Sequence, residues 1–182
     1  MPLNALEKLV ARHCAATILG EKTGSLVRVS WAHYQDHRHA LQALRSVLLA
    51  QGVSVRVFGT PAAALMYVYR PELLKKDLRD HQAREILARY GYGPDVFSSL
   101  QNRLMATGGF PHEIGLFIGY PAQDVAGFID HGGANCILTG CWKVYHDADR
   151  ARCLFCTYSK CRERMNRLIE RGMTLSDILR SA

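Results

Sequence analysis

Long apolar runs are missing from this 182-residue chain. Nothing in it approaches the roughly 18 consecutive apolar residues of a membrane-spanning helix, so a helical membrane protein is not expected. A secretory leader is not expected either, because Glu7, Lys8, Arg12 and His13 interrupt the only apolar stretch near the N-terminus. Internal repeats and low-complexity tracts are absent. Acids are scarce, 16 against 23 lysines and arginines, which leaves a net charge of +7. Aromatic-interleaved basic motifs and zinc-finger spacings are lacking too, which makes nucleic acid an unlikely partner.

What is there is apolar bulk. With 48% hydrophobic residues the chain can bury a real core. The economical expectation is one domain over 1–182, with 147–182 as a helical extension packed on it. A cytoplasmic location is the default. The charge is uneven: residues 149–171 hold seven basic and three acidic side chains and supply +4 of the +7. Such a helix face is first a solvated face, and its functional alternatives are an acidic protein partner or nucleic acid. Six cysteines in a chain without a leader argue for buried thiols, metal ligands or redox chemistry rather than a disulfide framework.

Periodicity gives the elements. Asn4 caps a first helix with an apolar stripe of Leu6, Leu9, Val10, Cys14 and Thr17. A short strand at 26–29, a helix over about 38–51 closed by Gly52, and an alternating strand at 53–58 follow. Gly59-Thr60-Pro61 turns the chain into a continuous apolar run at 63–69, expected as a central strand antiparallel to its predecessor. Pro71 opens a helix to about 80, and helices over about 81–90 and from about 95 come next. The spacing then predicts a strand at 114–119, a helix at 123–131, a last strand within 137–145 and a long basic helix over 147–171. Thr174 and Asp177 cap a closing turn. The class is α+β or mixed α/β, with a small mixed sheet of about five strands covered by helices.

Four constellations carry chemistry. The run 110–121, FPHEIGLFIGYP, follows Gly108-Gly109 and sets His112 beside Glu113 at the mouth of an apolar segment. His112 is suited to be a general base, and Glu113 to be an acid or its orienter; the alternative is a histidine bonded to a loop carbonyl and a glutamate paired with an arginine. The pair is no zinc signature, since position 116 is Leu where a second histidine is needed. His13-Cys14 is the second: Cys14 is a packed core thiol, or a nucleophile if a cation such as His13 or Lys22 favours its thiolate. The third is the late cysteines, of which Cys153, Cys156 and Cys161 are weak metal candidates because they fall within one helix. Arg70, at the end of the central strand, is the fourth, either an anion grip or a structural salt bridge.

The segments His13-Cys14-Ala15 with Gly20 and Lys22, Tyr69-Arg70-Pro71, the run 110–121 and Gly140-Cys141-Trp142-Lys143-Val144-Tyr145 occur in this order. In them the chain resembles, over nearly its whole length, an uncharacterised family of unknown function found mostly in anaerobic bacteria. The resemblance implies no particular reaction or cofactor. It points to His13, Cys14, Lys22, Arg70, His112, Glu113, Asp124, Trp142, Lys143 and Tyr145 as the family's residues. Ala16 stands where relatives carry proline, which would end the first helix near Cys14. Family genes lie near flavodoxin and iron-uptake genes, which makes a flavodoxin-like protein the acidic partner to consider.

The combined expectation is a small-molecule or redox-linked enzyme. His112, Glu113 and Cys14 would be its catalytic groups, with Arg70, Lys22, Lys143, Tyr145 and His13 binding the ligand. The alternatives are a module that docks an acidic partner through the basic helix, and a metal or iron–sulfur protein.

Overall fold

The computed structural model describes residues 3–36, 38–60, 62–106 and 110–180. Gly108-Gly109 and Pro61, each expected to shape a turn, lie outside the described residues.

Asn4 opens α1 (Ala5–His13) with a reciprocal capping box: its side chain accepts from the Glu7 N–H and the Glu7 carboxylate accepts from the Asn4 N–H. α2 (Ala15–Ile18) follows at once, so Cys14 sits at a helix junction. β1 (Gly24–Val29), α3 (Trp31–Asp36), α4 (Arg38–Leu49), β2 (Ser54–Gly59) and β3 (Ala64–Tyr69) come next. The three strands form an antiparallel sheet in the order β1-β3-β2, with Tyr69 opposite both Gly24 and Ser54. All six residues of β3 are buried, as a continuous apolar run in a central strand requires.

Then come α5 (Pro71–Asp77), α6 (His81–Arg89), α7 (Val96–Met105), α8 (Ile114–Phe117) and α9 (Ala122–Asp130). A hairpin of β4 (Leu138–Thr139) and β5 (Lys143–Val144) leads into α10 (Ala148–Glu170). α11 (Leu175–Arg180) closes the chain, its start capped by reciprocal bonds between Thr174 and Asp177. The architecture is α+β. Among the described residues the five strands divide into a sheet of three and a sheet of two, all antiparallel, instead of one mixed sheet. None of the described helices is long and apolar enough to cross a membrane.

The chain divides into two compact units, Met1–Pro71 with Thr157–Ala182, and Glu72–Cys156. The first is built on the three-stranded sheet, with Val10, Ile18, Leu44, Leu48 and Tyr67 in its core. Met165 and Ile178, from the last stretch of chain, are equally buried there. In the second unit α9 packs against α6, α8 and β5, and Ile86, Leu100, Phe117 and Val144 are buried.

The strand expected at 114–119 is a helical turn. Gly119, at φ 79°, terminates α8: the Tyr120 N–H bonds the Gly115 carbonyl at 2.9 Å and the Gly119 N–H bonds that of Leu116 at 3.3 Å. That is the Schellman arrangement. Four apolar residues buried on every side have no strand-specific signature.

Candidate functional site

In the second unit the chain on either side of α8, together with α9 and the β4–β5 hairpin, encloses a pocket of about 240 Å³. Its wall includes Phe110, His112, Tyr120, Phe128, Trp142 and Lys143. Asp124, in the first turn of α9, organises it. That carboxylate is 3% exposed and takes the Trp142 indole N–H at 2.6 Å, the Tyr145 N–H at 2.7 Å and the His146 N–H at 3.1 Å. Three donors satisfy the buried charge, and they moor the hairpin to the helix.

His112 is exposed. Its ring meets Phe128 at 4.9 Å between centroids, and neither ring nitrogen has a hydrogen-bond partner among the described residues. Lys143 approaches the same ring from another position: Nζ stands 5.9 Å from the Phe128 centroid and donates to the Gly133 carbonyl at 2.5 Å. Gly133 permits this approach. It has φ 82°, and a Cβ there would come within 3.2 Å of Phe128 and 3.4 Å of Lys143 Nζ.

Glu113 does not orient His112. Its side chain is fully buried, and Oε1 takes the Arg103 Nε–H at 2.6 Å and the Tyr92 hydroxyl at 3.2 Å. Burial, then the Glu113 charge, pushes the Tyr92 phenol far up. Arg103 also lies over the Tyr90 ring at 4.6 Å. The arginine-paired alternative is therefore what forms, and it draws Glu113 away from the pocket wall.

Cys14 and Arg70 belong to the first unit. Cys14 is fully buried, and burial pushes its thiol up to about 12, outweighing Lys22 and Ser25, which pull the other way. A nucleophilic thiolate needs the opposite environment. Arg70 is not left for an anion. Its Nε donates to the Thr17 carbonyl at 2.7 Å and Nη2 to the Ile18 carbonyl at 2.6 Å, capping the end of α2. Lys22 lies 5.5 Å from the Tyr158 ring centroid, and His13 is exposed in the last turn of α1. Tyr145 stacks on His131 and presses on Gly127; burial holds its phenol above the ordinary range. Of the residues expected to be catalytic or ligand-binding, the pocket brings together His112 and Lys143, and it adds Asp124 and Trp142 from those the family resemblance pointed to.

The cysteines do not converge. Cys153 and Cys156 are exposed and Cys161 is buried, and burial raises the Cys161 thiol, with Glu21 adding to the effect. Among the described residues no three His, Cys, Asp or Glu side chains come together to hold a metal ion.

The family described as "Protein of unknown function (DUF3793)" matches residues 10–179. The chain belongs to DUF3793. No curated protein and no solved structure matches it. In this DUF3793 chain the aromatic residues Phe110, Tyr120 and Phe128 line the pocket although sequence reasoning did not single them out as binding residues. The available signal was the rings of Tyr120 and Phe128 flanking Asp124 at helical spacing.

Proposed function

We propose that the chain acts on a small molecule held in the pocket of the second unit, with His112 giving or taking a proton. The observation that carries this reading is an exposed imidazole in a pocket wall, with neither nitrogen bonded to another of the described residues. An imidazole placed in this way can bond a ligand and pass a proton to or from it. The pocket's mix of rings with few polar groups is that of a small-molecule site. Cys14 and Arg70 drop out of the proposal, one sealed from solvent and the other committed to carbonyls. A cytoplasmic location is supported by six thiols, all of them free.

The test is a protein-observed NMR screen of metabolites against the full chain and the His112→Gln variant. Hits that shift Trp142 or His112 signals, and weaken in a variant of unchanged melting temperature, support the reading. A screen whose hits leave both signals unmoved overturns it.

A second reading has its own observation. Lys160, Arg164, Arg167 and Arg171 are exposed at helical spacing along one stripe of α10 and its continuation. They suit an acidic protein partner such as a flavodoxin. Capture of flavodoxin at low salt, lost at high salt and lost on charge reversal at Arg167 and Arg171, supports docking; salt-independent capture opposes it.

A further inference from the structure

The pocket beside His112 holds a cation that no described carboxylate pairs with. Lys143 is only partly exposed and forms no ion pair among the described residues. Its one hydrogen-bond partner there is the neutral Gly133 carbonyl. The carboxylate in the same wall, Asp124, has both oxygens taken by the indole and the two backbone N–H groups. An ammonium carries three donors, so two remain for a ligand. Beside apolar walls, such a charge attracts an anion more strongly than it would in water.

The rest of the wall selects shape. The Tyr120 hydroxyl is bonded to the Cys141 carbonyl at 3.1 Å and the Trp142 N–H to Asp124. Both donor hydrogens are committed, and what these side chains chiefly offer a guest is ring surface. Tyr120 and Trp142 stack at 4.9 Å, and Phe128 has the His112 ring 4.9 Å and the Lys143 ammonium 5.9 Å from its centroid. Ring surfaces of this kind favour flat partners in stacked or edge-on contact. A volume of about 240 Å³ is below that of drug-sized sites and suits one or two rings.

We infer that the ligand is a planar aromatic or heteroaromatic acid, its ring against Phe128 and its oxyanion on Lys143. This rests on the pocket reading above and adds the class of molecule. Gly133 is a positioning residue: a Cβ there would crowd Phe128 at 3.2 Å and strain a backbone at φ 82° whose carbonyl holds the Lys143 ammonium.

The experiment uses the full chain with Trp31→Phe, which leaves Trp142 as the single indole. Its indole N–H signal is followed in ¹⁵N–¹H spectra while 2-naphthoate, the neutral 2-naphthamide or the non-planar cyclohexanecarboxylate is titrated in. The expected result is a saturable shift with 2-naphthoate at a Kd at least tenfold lower than with either control. Lys143→Met should bring acid and amide to equal affinity, and Gly133→Ala should weaken the acid at least fivefold. Equal binding of acid and amide by the unmodified pocket overturns the anion, and equal binding of 2-naphthoate and cyclohexanecarboxylate overturns the planar ring; in both cases the pocket reading survives. No shift with any of the three at millimolar concentration overturns both.

Discussion

Burial decides what each reactive side chain of this chain is able to do. Cys14 carries the ordinary thiol value of 9.0 when unfolded and about 12 when folded, because the thiolate has no water to stabilise it. A folded value raised in this way means that the native state is favoured fully below pH 9. The advantage then drains as pH rises toward 12, by at most about 1.4 kcal/mol per pH unit. The difference in stability between the wild type and Cys14→Ala, followed by denaturant unfolding from pH 8 to 11, should therefore narrow as pH rises. Alkylation at pH 8 should modify Cys141, Cys153 and Cys156 quickly and leave Cys14 and Cys161 protected until unfolding; mass mapping of the labelled peptides checks it. Glu113 illustrates the converse. A buried carboxylate survives because Arg103 reaches it, so Arg103→Met should destabilise by about 3 kcal/mol in urea unfolding. The double variant with Glu113→Gln should recover part of that loss.

At the level of the element, legibility followed how local the cause is. The Asn4 cap of α1 and the apolar run of β3 are fixed by neighbours within a few residues, and each was readable. β2 formed where the alternation placed it, but its one buried residue is Phe58, while Val55 and Val57, expected on the buried face, are only half-buried. The helix α8 was misread as a strand, although Gly119 followed by Pro121 is a stop signal that favours a helix. Arg70 was misread because its partners, the carbonyls of Thr17 and Ile18, are 53 and 52 residues away. For the same reason sequence pointed to His112 but not to the rings that converge around it. The β4–β5 hairpin shows how far one distant contact reaches: each strand has two residues, too few to hold alone, and Asp124 supplies the anchor. Asp124→Ala should cost about 3 kcal/mol through its stranded donors. It should also move Trp142 emission to the red in the Trp31→Phe background.

Over the whole molecule the net charge of +7 is a standing repulsion. Lys160–Arg164 and Arg167–Arg171 are like-charged pairs four residues apart, each worth roughly 0.2–0.5 kcal/mol of destabilisation at low salt. Raising ionic strength from 20 to 300 mM should therefore raise the melting temperature, and Arg167→Glu should flatten that response. One further consequence comes from the order of the chain. The second unit is continuous, residues 72–156, whereas the first is assembled from both ends, with Met165, Leu175 and Ile178 in its interior. During synthesis the continuous unit has all its parts before the terminal helices have left the ribosome. The earlier-made half of the first unit must wait for Met165, Leu175 and Ile178 to complete its interior, and until they arrive it stays open to chaperones and proteases.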